Sequence, residues 1–227
     1  DPWTPRLIKN ATCRLMCYST KSAADLMAEH IALHSDGVEF DAVSGGERAH
    51  VRLGIPGAFT VYNALGVIQA AQALGLPLEK IAAALSTAQG VKGRAEVVPT
   101  PGKDYTVLID YSHTPDSLEN ILKTVRGFCR GHVIAVFGCG GDRDPFKRPI
   151  MGGIAARLAD VAVVTSDNPR TEDPNEIIRQ IVAGMDGAKT PPTVIENRPK
   201  AIEWAMDHAE PGDVIVLCGK GHETYQE

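Results

Sequence analysis

Four polar, glycine-rich segments carry most of the residues that could do chemistry in this chain. They are Asp110-Tyr111-Ser112-His113, Gly138-Cys139-Gly140-Gly141-Asp142-Arg143-Asp144, Ser166-Asp167-Asn168-Pro169-Arg170 and Gly219-Lys220-Gly221-His222-Glu223. Glycines let backbone N–H groups approach an anion. Arginine binds a carboxylate or phosphate through paired hydrogen bonds, and Arg143, Arg148 and Arg170 are candidates. The carboxylates of Asp142, Asp167 and Glu223 suit an amine, so a ligand with both carboxylates and amines fits best.

A regular alternation of apolar runs and helix-length segments surrounds these residues. The apolar runs are 106–109, 133–137, 161–165, 193–195 and 214–218, and the helical segments between them are 115–128, 149–158, 174–185 and 199–208. Thr114 before Pro115 and Asp173 before Pro174 predict helix starts. The pattern predicts an α/β fold with a mostly parallel, doubly wound, Rossmann-like sheet. Ligands bind beyond the carboxyl ends of such strands, so the four segments should converge on one edge.

The pattern is weaker before about residue 95. Residues 21–52 predict short strands, with turns at Asp36-Gly37 and Gly45-Gly46. Helices are predicted over 61–74, followed by Gly75, and over 78–88. The change from this weak pattern to the regular alternation of strands and helices predicts two domains, 1–94 and 95–227.

Composition disfavours several classes of protein. The net charge of −5 and the absence of a basic run disfavour nucleic acid as a partner. No apolar stretch approaches the ~18 residues of a membrane span, and the first residues lack a signal-peptide pattern. The five scattered cysteines, including the Cys13/Cys17 pair, predict reduced thiols rather than disulfides or a zinc site. The chain starts without Met and stops in a glycine-rich loop, so both ends are expected to be cut.

Each motif has a plainer interpretation when taken alone. The glycines at 138–141 resemble half of a dinucleotide-binding fingerprint, but the third glycine is wrongly spaced. Alone, this string is equally typical of a tight strand-to-helix turn. Asp167-Asn168-Pro169-Arg170 alone is more typical of an Asx-type turn, and His113 and His222 could be surface histidines. Lys147 and Arg148 at a helix start oppose the helix dipole, which favours a bound anion there.

Taken together, the motifs resemble the Mur ligase family, in particular its members that use meso-diaminopimelate. The matching strings are Gly93-Arg94 with Glu96-Val97-Val98, residues 110–120, residues 138–149, Asp167-Asn168-Pro169-Arg170 and residues 219–226. The resemblance covers the chain from about residue 55 onward. It implies that 1–94 is the end of a central α/β ATPase domain. It also implies that 95–227 is the C-terminal, amino-acid-binding domain without its last helix.

The resemblance implies a cytoplasmic, ATP- and Mg²⁺-dependent ligase of peptidoglycan precursor synthesis. In this family the ATP γ-phosphate passes to the D-glutamate γ-carboxylate of UDP-N-acetylmuramoyl-L-alanyl-D-glutamate. The amine of meso-diaminopimelate then displaces the phosphate. No Gly-x-x-Gly-Lys-Thr/Ser string occurs here, so the catalytic residues and Mg²⁺ ligands are expected upstream. The chain alone is therefore expected to lack ATPase and ligase activity.

The resemblance also assigns roles to single residues. The amino-acid site is implied to contain Arg143, Asp167, Asn168, Pro169, Arg170, Gly219 and Glu223, and the nucleotide site Asn63, Arg94, Asp110 and His113. Arg170 and Asn168 would hold the end of diaminopimelate that does not react, and Glu223 its distal ammonium. Lysine has no second carboxylate for Arg170. Thr60 stands where the family usually has Asn.

Three alternatives remain open from the residues. The first is a sister ligase acting on lysine or on folate polyglutamate, against which Arg170 argues. The second is an amino-acid-binding module without catalysis, which a parent chain with a phosphate loop would exclude. The third is a nicotinamide-dependent oxidoreductase, disfavoured by the glycine spacing and by the lack of a suitable acidic residue at the end of the second strand.

Overall fold

The computed structural model describes residues 4–227 and divides the chain into two compact units. The first unit comprises most of the chain up to Ala88. The second comprises Gln89–Glu227 together with Leu33–Gly37 and Ile55–Gly57. The predicted boundary at 94/95 and the roles given to the two domains stay predictions.

In its described residues, the first unit contains a four-stranded sheet and three helices. In chain order its elements are α1 (Thr4–Asn10), β1 (Tyr18–Ser19), β2 (Leu26–His34), β3 (Gly37–Ser44), β4 (Glu47–Leu53), α2 (Ala58–Ala73) and α3 (Leu78–Leu85). The sheet order is β1-β2-β3-β4, with β1 parallel to β2 and β3 antiparallel to β4. Ser44 pairs with Glu47, so Gly45-Gly46 forms the predicted tight turn. Both predicted helices are present, with α2 starting three residues earlier and α3 ending three residues earlier than predicted.

The second unit is built on a six-stranded sheet. Its elements are β5 (Glu96–Val98), β6 (Thr106–Asp110), α4 (Pro115–Arg126), β7 (Val133–Phe137), α5 (Lys147–Leu158), β8 (Val161–Val164), α6 (Pro174–Val182), β9 (Thr193–Val194), α7 (Arg198–Asp207) and β10 (Val214–Cys218). The strand order is β5-β6-β10-β7-β8-β9, and all neighbours are parallel except β5 with β6. The predicted doubly wound, mostly parallel sheet is confirmed. The short antiparallel edge strand β5 was not predicted.

Helices cover both faces of this sheet. On one face, α4, α5 and α6 pack Leu122, Met151 and Ile181 into a core with the central strands. On the other face, α7 packs Ala201 and Ala205 against them. From β6 to β9 the chain advances across the sheet in one direction. After β9 it turns back: α7 crosses on the second face, and β10 enters between β6 and β7. Ligands bind at such a reversal, beyond the carboxyl ends of the strands.

Capping side chains fix where the helices start. Thr114 and Ser117 form a capping box at α4, where Thr114 Oγ1 accepts from the Ser117 N–H. Asp173 accepts from the Asn175 N–H at α6, so both predicted starts are confirmed. Helix α5 has no side-chain cap and begins at Lys147, two residues before the prediction.

None of the helices within residues 4–227 has the length and apolar character that crossing a membrane requires. All five cysteines are free thiols.

Candidate functional site

The loops that follow β6, β7, β8 and β10 meet at the carboxyl edge of the sheet. We call residues 138–144, after β7, the glycine loop and residues 166–172, after β8, the arginine loop. They are joined directly, since the Gly141 N–H donates to the Asn168 carbonyl over 2.8 Å. The loop after β10 reaches both neighbours. The Gly219 N–H donates to the Asp110 carbonyl over 3.2 Å, and a Cβ at Gly219 would lie 2.5 Å from Asp167 Oδ2.

These loops line a cleft of about 530 Å³. Six of the seven residues predicted for the amino-acid site line it, namely Arg143, Asp167, Asn168, Arg170, Gly219 and Glu223. Pro169 does not, while His113, predicted for the nucleotide, does. A larger cavity of about 740 Å³ lies in the first unit between β4 and α3. Arg48 in that cavity already pairs with Glu29 and Asp41, so the smaller cleft is the better candidate site.

Two arginines supply positive charge to the cleft. Arg170 donates through Nη1 to the Gly141 carbonyl over 2.8 Å, and its Nε lies 3.4 Å from a Glu227 carboxylate oxygen. Within residues 4–227 its Nη2 makes no hydrogen bond, which leaves that group for a ligand. Arg143 is exposed, and among the described residues its guanidinium donates one hydrogen bond, from Nη1 to the Asp142 carbonyl. Both guanidinium groups therefore have free donors for a carboxylate.

Two carboxylates that line the same cleft have hydrogen-bonding capacity that the described residues leave unused. Asp167 is only 8% exposed, yet in the described part of the chain its carboxylate accepts no hydrogen bond. Glu223 is partly buried, and its Oε2 is a buried atom without a partner among the described residues. Buried polar groups normally have partners, so such acceptors suit a ligand that donates, such as an ammonium.

Asn168 connects the arginine loop to the loop after β10. Its Oδ1 accepts from Lys220 Nζ over 2.8 Å and from the Glu227 N–H over 2.9 Å. Lys220 also donates to the Tyr225 carbonyl over 2.7 Å. With its oxygen occupied, Asn168 can offer only its amide N–H groups to a ligand. Sequence reasoning missed Lys220; its place between two glycines after a strand was the available signal.

Two residues considered for ligand binding are used by the protein itself. Arg148 was a candidate for a bound anion, but it is 1% exposed and pairs bidentately with Glu172, each bond 2.8 Å long. Asp142 was a candidate for an amine, but its carboxylate accepts from Thr171 Oγ1 over 2.7 Å. The suggestion for Arg148 was wrong, because the sequence shows a charge but not the partner that folding brings to it. The suggestion for Asp142 stays a prediction.

Three of the four residues predicted for the nucleotide surround Tyr111. The Arg94 guanidinium lies 5.0 Å from the Tyr111 ring centroid, and the His113 ring centroid lies 4.7 Å from it. Asp110 Oδ2 accepts from the Ala95 N–H over 2.8 Å, and its other oxygen accepts from Ser112 Oγ. Asp110 thus supports the loop, while Arg94 remains exposed. Asn63 belongs to the first unit, on the exposed side of α2.

Within residues 4–227, no group of three or more His, Cys, Asp or Glu side chains is arranged to hold a metal ion. The chemistry that this edge of the sheet offers is recognition of carboxylates and amines.

Comparison with known proteins agrees with this chemistry. Residues 93–221 match the Mur ligase glutamate ligase domain, and residues 1–71 match the Mur ligase middle domain. A UDP-N-acetylmuramoyl-L-alanyl-D-glutamate–2,6-diaminopimelate ligase of Clostridium acetobutylicum is 49% identical over all of this chain and 47% of its own length. The enzyme of the same name from Clostridium botulinum is 46% identical, again over 47% of its length. The chain thus spans about half the length of the curated relatives it matches.

Solved structures show the same similarity. A UDP-N-acetylmuramoyl-L-alanyl-D-glutamate–2,6-diaminopimelate ligase superposes with a TM-score of 0.76 and 34% identity, over 99% of this chain and 47% of that one. A folylpolyglutamate synthase from Thermotoga maritima shares the fold alone, with a TM-score of 0.66 and 23% identity over 86% of this chain and 44% of that one. By its sequence match over more than half its length, the chain belongs to the Mur ligase family.

Proposed function

We propose that the gene product containing this chain is an ATP-dependent, amide-forming ligase of peptidoglycan precursor synthesis. It joins meso-diaminopimelate to the D-glutamate γ-carboxylate of UDP-N-acetylmuramoyl-L-alanyl-D-glutamate. The observation that carries this proposal is one cleft holding two arginines with free donors beside two carboxylates with unused acceptors. The names of relatives 45–49% identical to the chain support the same reaction.

The cleft has the charges that the distal end of meso-diaminopimelate requires. Arg170 and Arg143 receive its carboxylate, and Glu223, assisted by Asp167, receives its ammonium. Asn168 donates its amide N–H, while Gly219 and Pro169 shape the site. Lysine offers an ammonium but no second carboxylate, so its binding leaves the Nη2 group of Arg170 unpaired in a partly desolvated site. Leaving such a group unpaired is how a polar site rejects an analogue that lacks one functional group.

ATP makes the substrate carboxylate reactive by converting one oxygen into a phosphate leaving group. Arg94 and His113 face outward near Tyr111 and suit a nucleotide, with Asp110 holding their loop. The role of Asn63 in nucleotide binding stays a prediction. When bound, Mg²⁺ would help to spread the charge that develops on the phosphate. We place its ligands, and the catalytic residues, in the part of the relatives' length that this chain does not span. Residues 1–227 alone are accordingly expected not to hydrolyse ATP.

The assignment of 1–94 to a central ATPase domain and of 95–227 to an amino-acid-binding domain belongs to the same proposal. So does a cytoplasmic location, where ATP and the nucleotide-linked precursor are available.

The test is a ligase assay on the full-length gene product. The enzyme receives ATP, Mg²⁺, UDP-N-acetylmuramoyl-L-alanyl-D-glutamate and either meso-diaminopimelate or lysine, and mass spectrometry identifies the product. We expect the diaminopimelate tripeptide, formed with ADP and phosphate in equal amounts. Preference for lysine, or no ATP turnover that depends on the dipeptide substrate, would overturn the proposal.

A further inference from the structure

An ion pair between a buried arginine and a partly exposed glutamate, with side chains 1% and 32% exposed, lies outside the lining of the cleft. Arg148, the second residue of α5, directs both Nη groups at the two carboxylate oxygens of Glu172. Nη1 also donates to Gln180 Oε1 over 2.8 Å, and Nη2 to the Gly140 carbonyl over 3.3 Å. One side chain therefore contacts both the glycine loop and the last residue of the arginine loop.

Glu172 continues this connection from the other side. Its Oε1 accepts from the Asp142 N–H over 2.6 Å, and its own N–H donates to the Pro169 carbonyl over 3.0 Å. Asp142 in turn accepts from the Thr171 N–H and Oγ1 over 3.3 and 2.7 Å. The two loops are thus cross-linked by hydrogen bonds whose centre is the Arg148–Glu172 pair.

The cross-link supports an unfavourable backbone. Asp142 and Arg170 each have φ of +52°, in the left-handed region that residues with a side chain seldom occupy. Such conformations persist where surrounding contacts fix them. One of the two strained residues, Arg170, is itself an arginine of the cleft. The other, Asp142, directly precedes Arg143, the second arginine of the cleft. The contacts that fix their backbone also fix where the two guanidinium groups stand.

We infer that Arg148 and Glu172 are positioning residues, which set Arg143 and Arg170 at the spacing that the distal carboxylate of the amino acid requires. Neither residue lines the cleft. An ion pair whose arginine is buried and whose glutamate is partly exposed contributes little net stability compared with apolar residues of similar volume, so geometry is the property that the pair supplies. The inference rests on the proposed function, because it takes the amino acid to be the ligand of the cleft.

The first variant is Glu172→Gln in the full-length enzyme, which removes the charge and keeps the shape. We expect the KM for meso-diaminopimelate to rise roughly 10²-fold, the loss typical of a misplacement of about 1 Å. The KM for ATP and kcat should stay within about threefold, and the preference for diaminopimelate over lysine should shrink. If the variant does not fold, Glu172→Asp keeps the charge, withdraws it by one methylene and should raise the same KM.

The double variant Arg148→Met/Glu172→Leu separates positioning from stability. Apolar replacement of an ion pair whose arginine is buried commonly preserves stability. We expect urea unfolding near the wild-type midpoint while the KM for meso-diaminopimelate stays raised. A double variant with wild-type stability and wild-type KM would overturn the inference.

The matched control is Asp160→Asn, which breaks the pair with Arg126 at the opposite edge of the same sheet. We expect lower stability with an unchanged KM for meso-diaminopimelate. An equal rise in that KM would show that any lost ion pair acts through stability, and would also overturn the inference. If the wild-type enzyme does not use diaminopimelate, the proposed function fails. If the wild type is active and Glu172→Gln has a normal KM, only this inference fails.

Discussion

The two edges of the second unit's sheet treat buried carboxylates in opposite ways. At the amino edge, Asp213 is 3% exposed and accepts from the N–H groups of His132 and Glu210 over 2.6 and 2.9 Å. At the carboxyl edge, Asp167 is 8% exposed, and its carboxylate accepts no hydrogen bond from the described residues. Burial is similar, so burial does not distinguish the site. The distinguishing property is the unused hydrogen-bonding capacity of Asp167, in a cleft whose arginines retain free donor groups.

Asp160 shows what full satisfaction does at the amino edge. Burial raises the pKa of its carboxyl, but the Val133 N–H and the guanidinium of Arg126 outweigh burial and hold the pKa at about 2. Lys189 donates to its other oxygen over 2.9 Å. The carboxylates of this edge should therefore govern stability, and those of the carboxyl edge ligand binding.

The largest expected effect is on ligand recognition. Replacing Arg170 by Ala removes the charged partner proposed for the substrate carboxylate, a loss of about 2–5 kcal/mol in binding free energy. We expect kcat/KM for meso-diaminopimelate to fall by roughly 10² or more, with little change for lysine. Steady-state assays with both amino acids measure this. Arg179→Ala, which removes an exposed arginine of α6 paired with Glu176, is the control and should leave both values unchanged. Equal losses for the two amino acids would contradict the role of Arg170.

The next effect is on stability and depends on pH. Asp160→Asn should lower the free energy of unfolding by about 2 kcal/mol at pH 7, from a pKa lowered from 3.8 to about 2. Because the folded pKa is depressed, this contribution is complete above the unfolded pKa and is lost as pH falls through about 2. Urea unfolding of both proteins between pH 3 and 7 should therefore show the difference narrowing below about pH 4. A difference that is constant over this range would contradict the assignment.

Two glycines with similar backbones allow the edges to be compared directly. Gly212 at the amino edge has φ of +89° and Gly219 at the carboxyl edge has φ of +99°. Alanine at either position should destabilise the fold by about 1–3 kcal/mol through backbone strain. Of the two added alanine methyl groups, only the one at position 219 would contact Asp167, so only Gly219→Ala should raise the KM for meso-diaminopimelate. Paired unfolding and kinetic measurements test this, and a raised KM in Gly212→Ala would remove the distinction.

The smallest expected effect concerns Lys220, which orients Asn168. Lys220→Met retains the aliphatic part of the side chain but removes the bond to Asn168 Oδ1, worth about 1 kcal/mol. The KM for meso-diaminopimelate should rise about fivefold. Lys200→Met, an exposed position on α7, is the control and should have no effect. A larger loss than that of Arg170→Ala would reverse the proposed order of importance.

The sequence predicted most of this sheet because its signals are local. Five apolar runs of strand length, each followed by polar residues, fixed the parallel strands and the edge where the loops meet. Strand β5 was missed because three residues carry too little pattern. The domain boundary stays a prediction.

The sequence could not show which charged side chains pair with residues that are distant along the chain. Arg148 at a helix start resembled an anion site, but Glu172, 24 residues later, already occupies it. Whether Asp167 or Asp213 keeps a free carboxylate likewise depends on which backbone N–H groups the sheet brings to each. Local patterns therefore located the cleft, and only the tertiary structure showed which of its charges remain available.

Titration calorimetry of the protein with meso-diaminopimelate and with L-lysine tests most directly whether the cleft recognises a second carboxylate. We predict measurable binding of meso-diaminopimelate, at least tenfold weaker binding of lysine, and loss of the difference in Arg170→Ala. Equal affinity for the two amino acids in the wild-type protein, or selectivity that survives the substitution, would contradict the assignment of Arg170 and of the cleft.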